Sequence, residues 1–344
     1  MAAQDTGRLV GIDYLRALFS VCVVAVHLNY IFPSLIFDKV RYPEHTFTWS
    51  DFVNFYVLCL AVPVFVVVST YLYARKPTDA AGLGRRLGRI VRLLVFWSVL
   101  YQVYRYTGFG AAKLVPPEPN ELGLYLMSGG STYYYFFEVL AVVTVVTHAA
   151  TRLPSRSVWA LFAASTAVVG VLPLVHQQTH VRALAHHADA LNFVPFAFAG
   201  VGLARLTAAG ADRTRDRVGL ACLALAAPAA VLDWTAYVDP VYFEINQFAI
   251  PAYTRPSLVL LAVAVLVLAV RSRVPPNAVV RFMAVHSLGV YCLHPFFVDG
   301  RFKVIEVLHL SGWAAVLVPW ALVLALSYIG SAVMPLFLRP DLIR

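Results

Sequence analysis

Proton transfer and anion binding need ionisable side chains, and this chain sets several of them among long apolar runs. Asp13, Arg16 and His27 fall within the first such run. Arg16 and His27 stand eleven residues apart. At about 100° per residue that is within about 20° of three whole helical turns, so they share one face, about 16 Å apart along the axis. Asp13 lies one turn before Arg16 on the same stripe. Ionisable groups inside a membrane helix are costly and by default mark a functional cavity. The alternative is that Asp13 and Arg16 anchor the helix at the interface and His27 is a hydrogen-bonded interior histidine. An imidazole, with an unperturbed pKa of about 6.5, is mostly neutral near neutral pH and can take a proton from a hydroxyl. General-base help of that kind is worth about 10²- to 10⁴-fold in rate.

A second cluster, Arg85-Arg86-Leu87-Gly88-Arg89-Ile90-Val91-Arg92, presents Arg86 and Arg89 at i and i+3. Guanidinium forks suit phosphate oxygens, although a basic helix end is also what membrane topology and lipid headgroups call for. His294 precedes Pro295, which frees a backbone carbonyl by interrupting the helix ladder. His294 then either lines a cavity or bonds that freed carbonyl. Glu138 is an acid inside an expected helix, placed to pair with an intramembrane cation or to line the path of a second substrate. His176, His180, His186 and His187 crowd one loop, but no cysteine or ordered acid completes a ligand set, and no metal site is expected. Cys22, Cys59, Cys222 and Cys292 lack disulfide or zinc spacing and read as small apolar packers. No serine or cysteine has an obvious base partner, so a covalent intermediate is not expected.

The elements that must position these groups are membrane helices. Of 344 residues, 60% are hydrophobic and 13% charged, against about 25% charged in soluble chains. The apolar runs approach ~20 residues, the length a helix needs to cross ~30 Å of hydrocarbon. The short alternating stretches of a membrane barrel are absent. The expected spans are 12–32, 51–73, 87–106, 131–150, 157–175, 191–208, 218–236, 255–271, 284–300 and 313–336. The fold class expected is therefore all-α, a polytopic integral membrane bundle of about ten transmembrane helices in a single domain, 1–344. The first run lacks a small-residue cleavage site and reads as a retained helix. The net charge of +9 sits mostly in short loops, as topology requires, and implies no nucleic-acid partner. Eighteen Lys and Arg residues flank the N-terminal side of these spans and eight the other, which places both termini in the cytoplasm. The longer outer loops carry Pro-Pro-Glu-Pro at 116–119 and, among others, Tyr237, Asp239, Tyr242 and Glu244, a group suited to binding a sugar-like molecule.

Several short stretches, in order, resemble the acyltransferase-3 family of membrane proteins. Asp13-x-x-Arg16, ten residues and His27 is similar to its opening helix. Val62-Pro63-Val64-Phe65 through Ser69-Thr70-Tyr71-Leu72 resembles its second, with Thr70 where Gly is usual. Arg86-x-x-Arg89-Ile90 resembles its R-x-x-R-I motif, with Arg92 where Pro is usual. Tyr135-Phe136-Phe137, Phe193-Val194-Pro195-Phe196 through Gly200, and Ser287-Leu288-Gly289-Val290-Tyr291-Cys292-Leu293-His294-Pro295 resemble three later helices. The resemblance implies a multi-pass cell-membrane enzyme that moves an acyl group, acetyl in the simplest case, from acyl-CoA to a hydroxyl of a sugar, glycan or secondary metabolite. No bound cofactor is implied; acyl-CoA is the donor substrate, and the lipid bilayer is the surroundings. The resemblance assigns catalysis to His27 and donor binding to Arg86 and Arg89; taken together with the helix geometry it adds Arg16 and Asp13 to the catalytic group, with Arg16, Arg92 or Arg85 assisting donor binding and Asp13 orienting Arg16. His294 and Glu138 become candidates for contact with the acceptor. The rival is a transporter or flippase of a glycan or small metabolite, in which the same charges would line a path; no pairing of two halves or of broken helices points that way.

Overall fold

A computed structural model describes residues 9–28, 49–76, 79–107, 133–179, 189–237 and 253–336. The outer-loop residues Asp239, Tyr242, Glu244, His180, His186, His187 and the 116–119 prolines lie outside the described residues, as do the side chains of His176 and Tyr237. Among the described residues the longer helices are α1 Val10–Leu28, α2 Ala61–Ala74, α3 Ala80–Tyr106, α4 Tyr135–Ala150, α5 Ser155–Thr179, α6 Val194–Ala208, α7 Asp212–Tyr237, α8 Pro256–Arg271, α9 Ala278–Val298 and α10 Gly312–Val333. Each overlaps one of the expected spans, and no strand occurs among the described residues. Six stretches are long and apolar enough to cross a bilayer: Val10–Leu28, Val53–Ala74, Ala80–Arg105, Ser155–Leu172, Ala190–Ala208 and Gly312–Leu336. Helices α4 and α8 are apolar but only 16 residues long, about 24 Å at 1.5 Å per residue.

Caps place several helix starts outside the apolar runs. Asp79, in extended conformation, accepts the Gly82 amide at 2.7 Å and opens α3 two turns before its apolar run begins. The arginine cluster therefore sits inside a formed helix and not at its first turn. Asn277 likewise accepts the Val280 amide at 2.8 Å and starts α9 well before residue 284. Pro195 and Pro256 occupy the first turns of α6 and α8, where a missing amide costs nothing.

Helices α1, α2 and α6 are mostly buried, whereas α3, α5 and α10 turn much of their apolar surface outward. Val91, Val95, Val99 and Val103 form an exposed stripe at i, i+4 along α3. In water such a stripe would be an aggregation surface; against acyl chains it is a matched solvent. Helix α1 is the hub, packed on α9, α8, α2 and α10. At its start a side chain on Gly11 would meet the Ala269 backbone of α8, so only glycine permits that approach. The four cysteines are free and buried, as packers should be.

One outer-loop cation reads differently in three dimensions. Arg255 is fully buried at the head of α8, its guanidinium 3.3 Å from the centre of the Phe55 ring and donating to the Phe55 carbonyl. Phe55 belongs to a π turn, Val53–Leu58, that leads toward α2. Asp233 of α7 lies within electrostatic reach of Arg255 and accepts the Ser257 amide at 3.2 Å.

Candidate functional site

The α1 stripe faces α9. Arg16 donates from Nε to Ser287 Oγ at 3.3 Å. Further along the same pair of helices, the ring of His27 stacks near-parallel on that of His294, with centroids 5.0 Å apart and an interplanar angle of 23°. Ser287 and His294 are seven residues apart, two turns of α9, so they too share a face. The two helices run parallel along a seam with a cation at one end and paired imidazoles at the other. Asp13 is buried near the start of that seam.

His294 is fully buried, and its Nδ1 lies 3.1 Å from the Val290 carbonyl oxygen. A carbonyl only accepts, so Nδ1 carries the proton and Nε2 keeps its lone pair. Among the described residues no group donates to that Nε2. Pro295 has no amide to offer the Tyr291 carbonyl, which also interacts with the His294 ring. His294 thus bonds backbone through Nδ1, while its Nε2 has no hydrogen-bond partner among the described residues.

Aromatic rings close the pair in. The Tyr133 ring meets His27 edge-on at 4.4 Å and lies 5.7 Å from His294, and Tyr291 lies 6.0 Å from His294. Three phenol hydroxyls tie the surrounding helices to the proline-interrupted part of α9: Tyr134 to the Cys292 carbonyl at 2.7 Å, Tyr104 to the Phe296 carbonyl at 2.9 Å, and Tyr291 of α9 to the Tyr133 carbonyl. Tyr133 is therefore held by its own backbone against the two histidines. Asp299, Arg105 and Arg301 lie within electrostatic reach of Tyr133. None of these tyrosines was legible as a site residue, because tyrosine at a helix end reads first as an interfacial anchor. The available signal was Tyr291 three residues before His294, one helical turn away on the same side.

The arginine cluster divides. Arg86 is half-buried and bridges three helices, donating to Ser69 Oγ of α2 at 2.7 Å and to Thr144 Oγ1 of α4 at 3.3 Å, with its guanidinium 4.8 Å from the Tyr73 ring centre. Arg89 and Arg92 are exposed, and Arg92 donates from Nε to the Gly88 carbonyl of its own helix at 3.3 Å. Beside Arg86, a cavity of about 260 Å³ is lined by Tyr73, Ala74, Lys76, His148, Thr151, Val201 and Arg205. Within it Tyr73 Oη and Arg152 Nη2 hold the two ring nitrogens of His148 at 3.0 and 2.9 Å. Glu138 is half-buried in the first turn of α4, within electrostatic reach of Asp189. Among the described residues no group of three His, Cys, Asp or Glu side chains could hold a metal ion.

Thr70, the departure from the family's glycine, is accounted for by its neighbour. Its hydroxyl lies 3.0 Å from the Val67 carbonyl and 2.9 Å from the Phe196 carbonyl of α6, and the space it needs is left by Gly200.

The family model described as an acyltransferase domain matches residues 9–334, essentially the whole chain. The chain belongs to the acyltransferase-3 family. No curated protein and no solved structure matches it. As a member of that family built from apolar helices, this acyltransferase is a multi-pass membrane protein.

Proposed function

We propose that this membrane acyltransferase moves an acyl group, acetyl in the simplest case, from acyl-CoA to a hydroxyl of a sugar, glycan or secondary metabolite. The observation that carries the proposal is the seam between α1 and α9, which pairs half-buried His27 with fully buried His294 at one end and holds the half-buried Arg16 guanidinium at the other. In this reading the ten helices cross the cell membrane as one domain with both termini cytoplasmic. The phosphates of the donor then stay at the cytoplasmic ends of α2, α3 and α4, near Arg86, Arg89 and Arg92. Arg16 binds nearer the thioester and is oriented by Asp13. Glu138 and His294 face the acceptor.

The hydroxyl oxygen attacks the thioester carbonyl carbon as His27 takes its proton. The C–S bond breaks, and the departing thiolate takes that proton from the imidazolium. An ester and free CoA result, with no covalent enzyme intermediate. Family membership favours transfer over transport, because a permeation path has no use for a proton acceptor beside a thioester.

The test is binding of acetyl-CoA and CoA to the purified protein in detergent. Wild type is compared with Arg86→Ala/Arg89→Ala and with His27→Ala. Binding lost in the arginine variant and kept in His27→Ala supports a donor site with a separate catalytic histidine. Well-folded wild type that binds no acyl-CoA contradicts the proposal.

A further inference from the structure

The inference that follows rests on the acyl-transfer reading and concerns how the acceptor is chosen. Two imidazoles stand side by side, half-buried His27 and fully buried His294, their centroids 5.0 Å apart. Each neutral imidazole keeps one acceptor nitrogen. For His294 that nitrogen is known: the Val290 carbonyl holds Nδ1–H, so Nε2 bears the lone pair. It is fully buried, and among the described residues no donor reaches it. An acceptor atom buried without a donor is costly, and such an orphan in a native structure calls for an explanation, a catalytic or binding role among them. The reactive end of an acyl donor, a thioester carbonyl and sulfur, offers no hydrogen to it. A hydroxyl does.

One hydroxyl has one proton and can donate it to only one lone pair. If the reacting hydroxyl gives its proton to His27, the Nε2 of His294 calls for a different donor within a few ångströms. We propose that His294 is a specificity-determining residue that accepts a hydrogen bond from a second hydroxyl on the acyl acceptor, adjacent to the one that is acylated. The acceptor class is then a vicinal diol or a larger polyol, and not an isolated alcohol. The second bond fixes the acceptor's rotation so that its reacting oxygen faces His27. Tyr133, pinned through its carbonyl by the Tyr291 hydroxyl and packed on both imidazoles, supplies an apolar wall against which a polyol's carbon face can lie.

The experiment measures release of CoA from acetyl-CoA by the full-length protein in detergent. The alcohols are paired probes: 1,2-propanediol against 1-propanol, and methyl hexosides against their monodeoxy counterparts. Wild type should favour the diol member by about 10- to 100-fold in kcat/KM, the range of one buried acceptor left unmatched. His294→Phe keeps a ring of similar shape and removes the lone pair. It should use both members alike, at the slower rate of the monool. His294→Gln restores an acceptor oxygen and should recover part of the preference, which a purely structural role for His294 would not predict. Such a role would lower both rates together and leave their ratio unchanged. Equal kcat/KM for the two members in wild type, or a preference that survives in His294→Phe, overturns the proposal while leaving acyl transfer intact. Bound acetyl-CoA with no alcohol-dependent CoA release in wild type overturns the transfer reading and this inference with it.

Discussion

Gly200→Ala is the sharpest test of how the bundle is packed. A methyl group at that position would sit 2.7 Å from the Tyr71 amide nitrogen, 2.8 Å from Thr70 Cβ and nearer still to Thr70 Oγ1. All three contacts are well inside the 3.5–4.0 Å optimum for non-bonded atoms. The Tyr71 nitrogen is backbone and cannot swing aside, so α6 must move off α2. Overpacking of this kind costs about 1–3 kcal/mol. The movement also stretches the 2.9 Å bond from Thr70 to the Phe196 carbonyl, worth about 0.5–1.5 kcal/mol. The single substitution should therefore destabilise the protein by about 2–4 kcal/mol. Thr70→Gly removes two of the three clashes and leaves the backbone one, so Gly200→Ala/Thr70→Gly should be less damaged than the sum of its parts. The coupling expected is about 1 kcal/mol or more. Equilibrium unfolding in mixed micelles titrated with sodium dodecyl sulfate measures all four corners of the cycle. Wild-type stability in Gly200→Ala, or effects that simply add, would refute the close approach of α2 and α6.

Arg255→Ala should destabilise by about 3–5 kcal/mol in the same titration, because Asp233 is left buried without its cation; Arg255→Ala/Asp233→Asn should recover much of the loss. Tyr291→Phe frees the Tyr133 carbonyl and loosens the wall behind the histidines, so CoA release should slow by about 10-fold in kcat with little change in the KM for acetyl-CoA. Arg86→Ala should lower both stability and acetyl-CoA binding, since Arg86 also joins α3 to α2 and α4. Arg89→Ala, at an exposed position, should weaken binding in a salt-dependent way and leave unfolding within about 0.5 kcal/mol of wild type.

The helices were legible because lipid demands long apolar runs, and each run found its helix. Their starts were less so: Asp79 and Asn277 are caps that extend α3 and α9 into polar sequence, where hydropathy has no signal. The shared face of Arg16 and His27 followed from the helical period alone, and both side chains do reach α9. What they reach there could not be read, because no rule of spacing within one helix says which other helix will pack on it. The same limit hid Ser69 and Thr144 as partners of Arg86, the role of Tyr133, and the fit of Thr70 against Gly200. The enclosure of Arg255, the first residue of an expected span, was hidden for a related reason: a charge at the edge of an apolar run reads as exposed until the π turn carrying Phe55 is seen to cover it.

The central claim is that His27, a half-buried histidine on α1, drives transfer from a thioester to a hydroxyl. It is tested most directly by following free CoA from acetyl-CoA with and without a hydroxyl acceptor, in wild type and in His27→Ala shown by unfolding to be intact. The account predicts acceptor-dependent release in wild type and a loss of at least about 100-fold in His27→Ala, with acetyl-CoA still bound. Near-normal turnover in His27→Ala would contradict it.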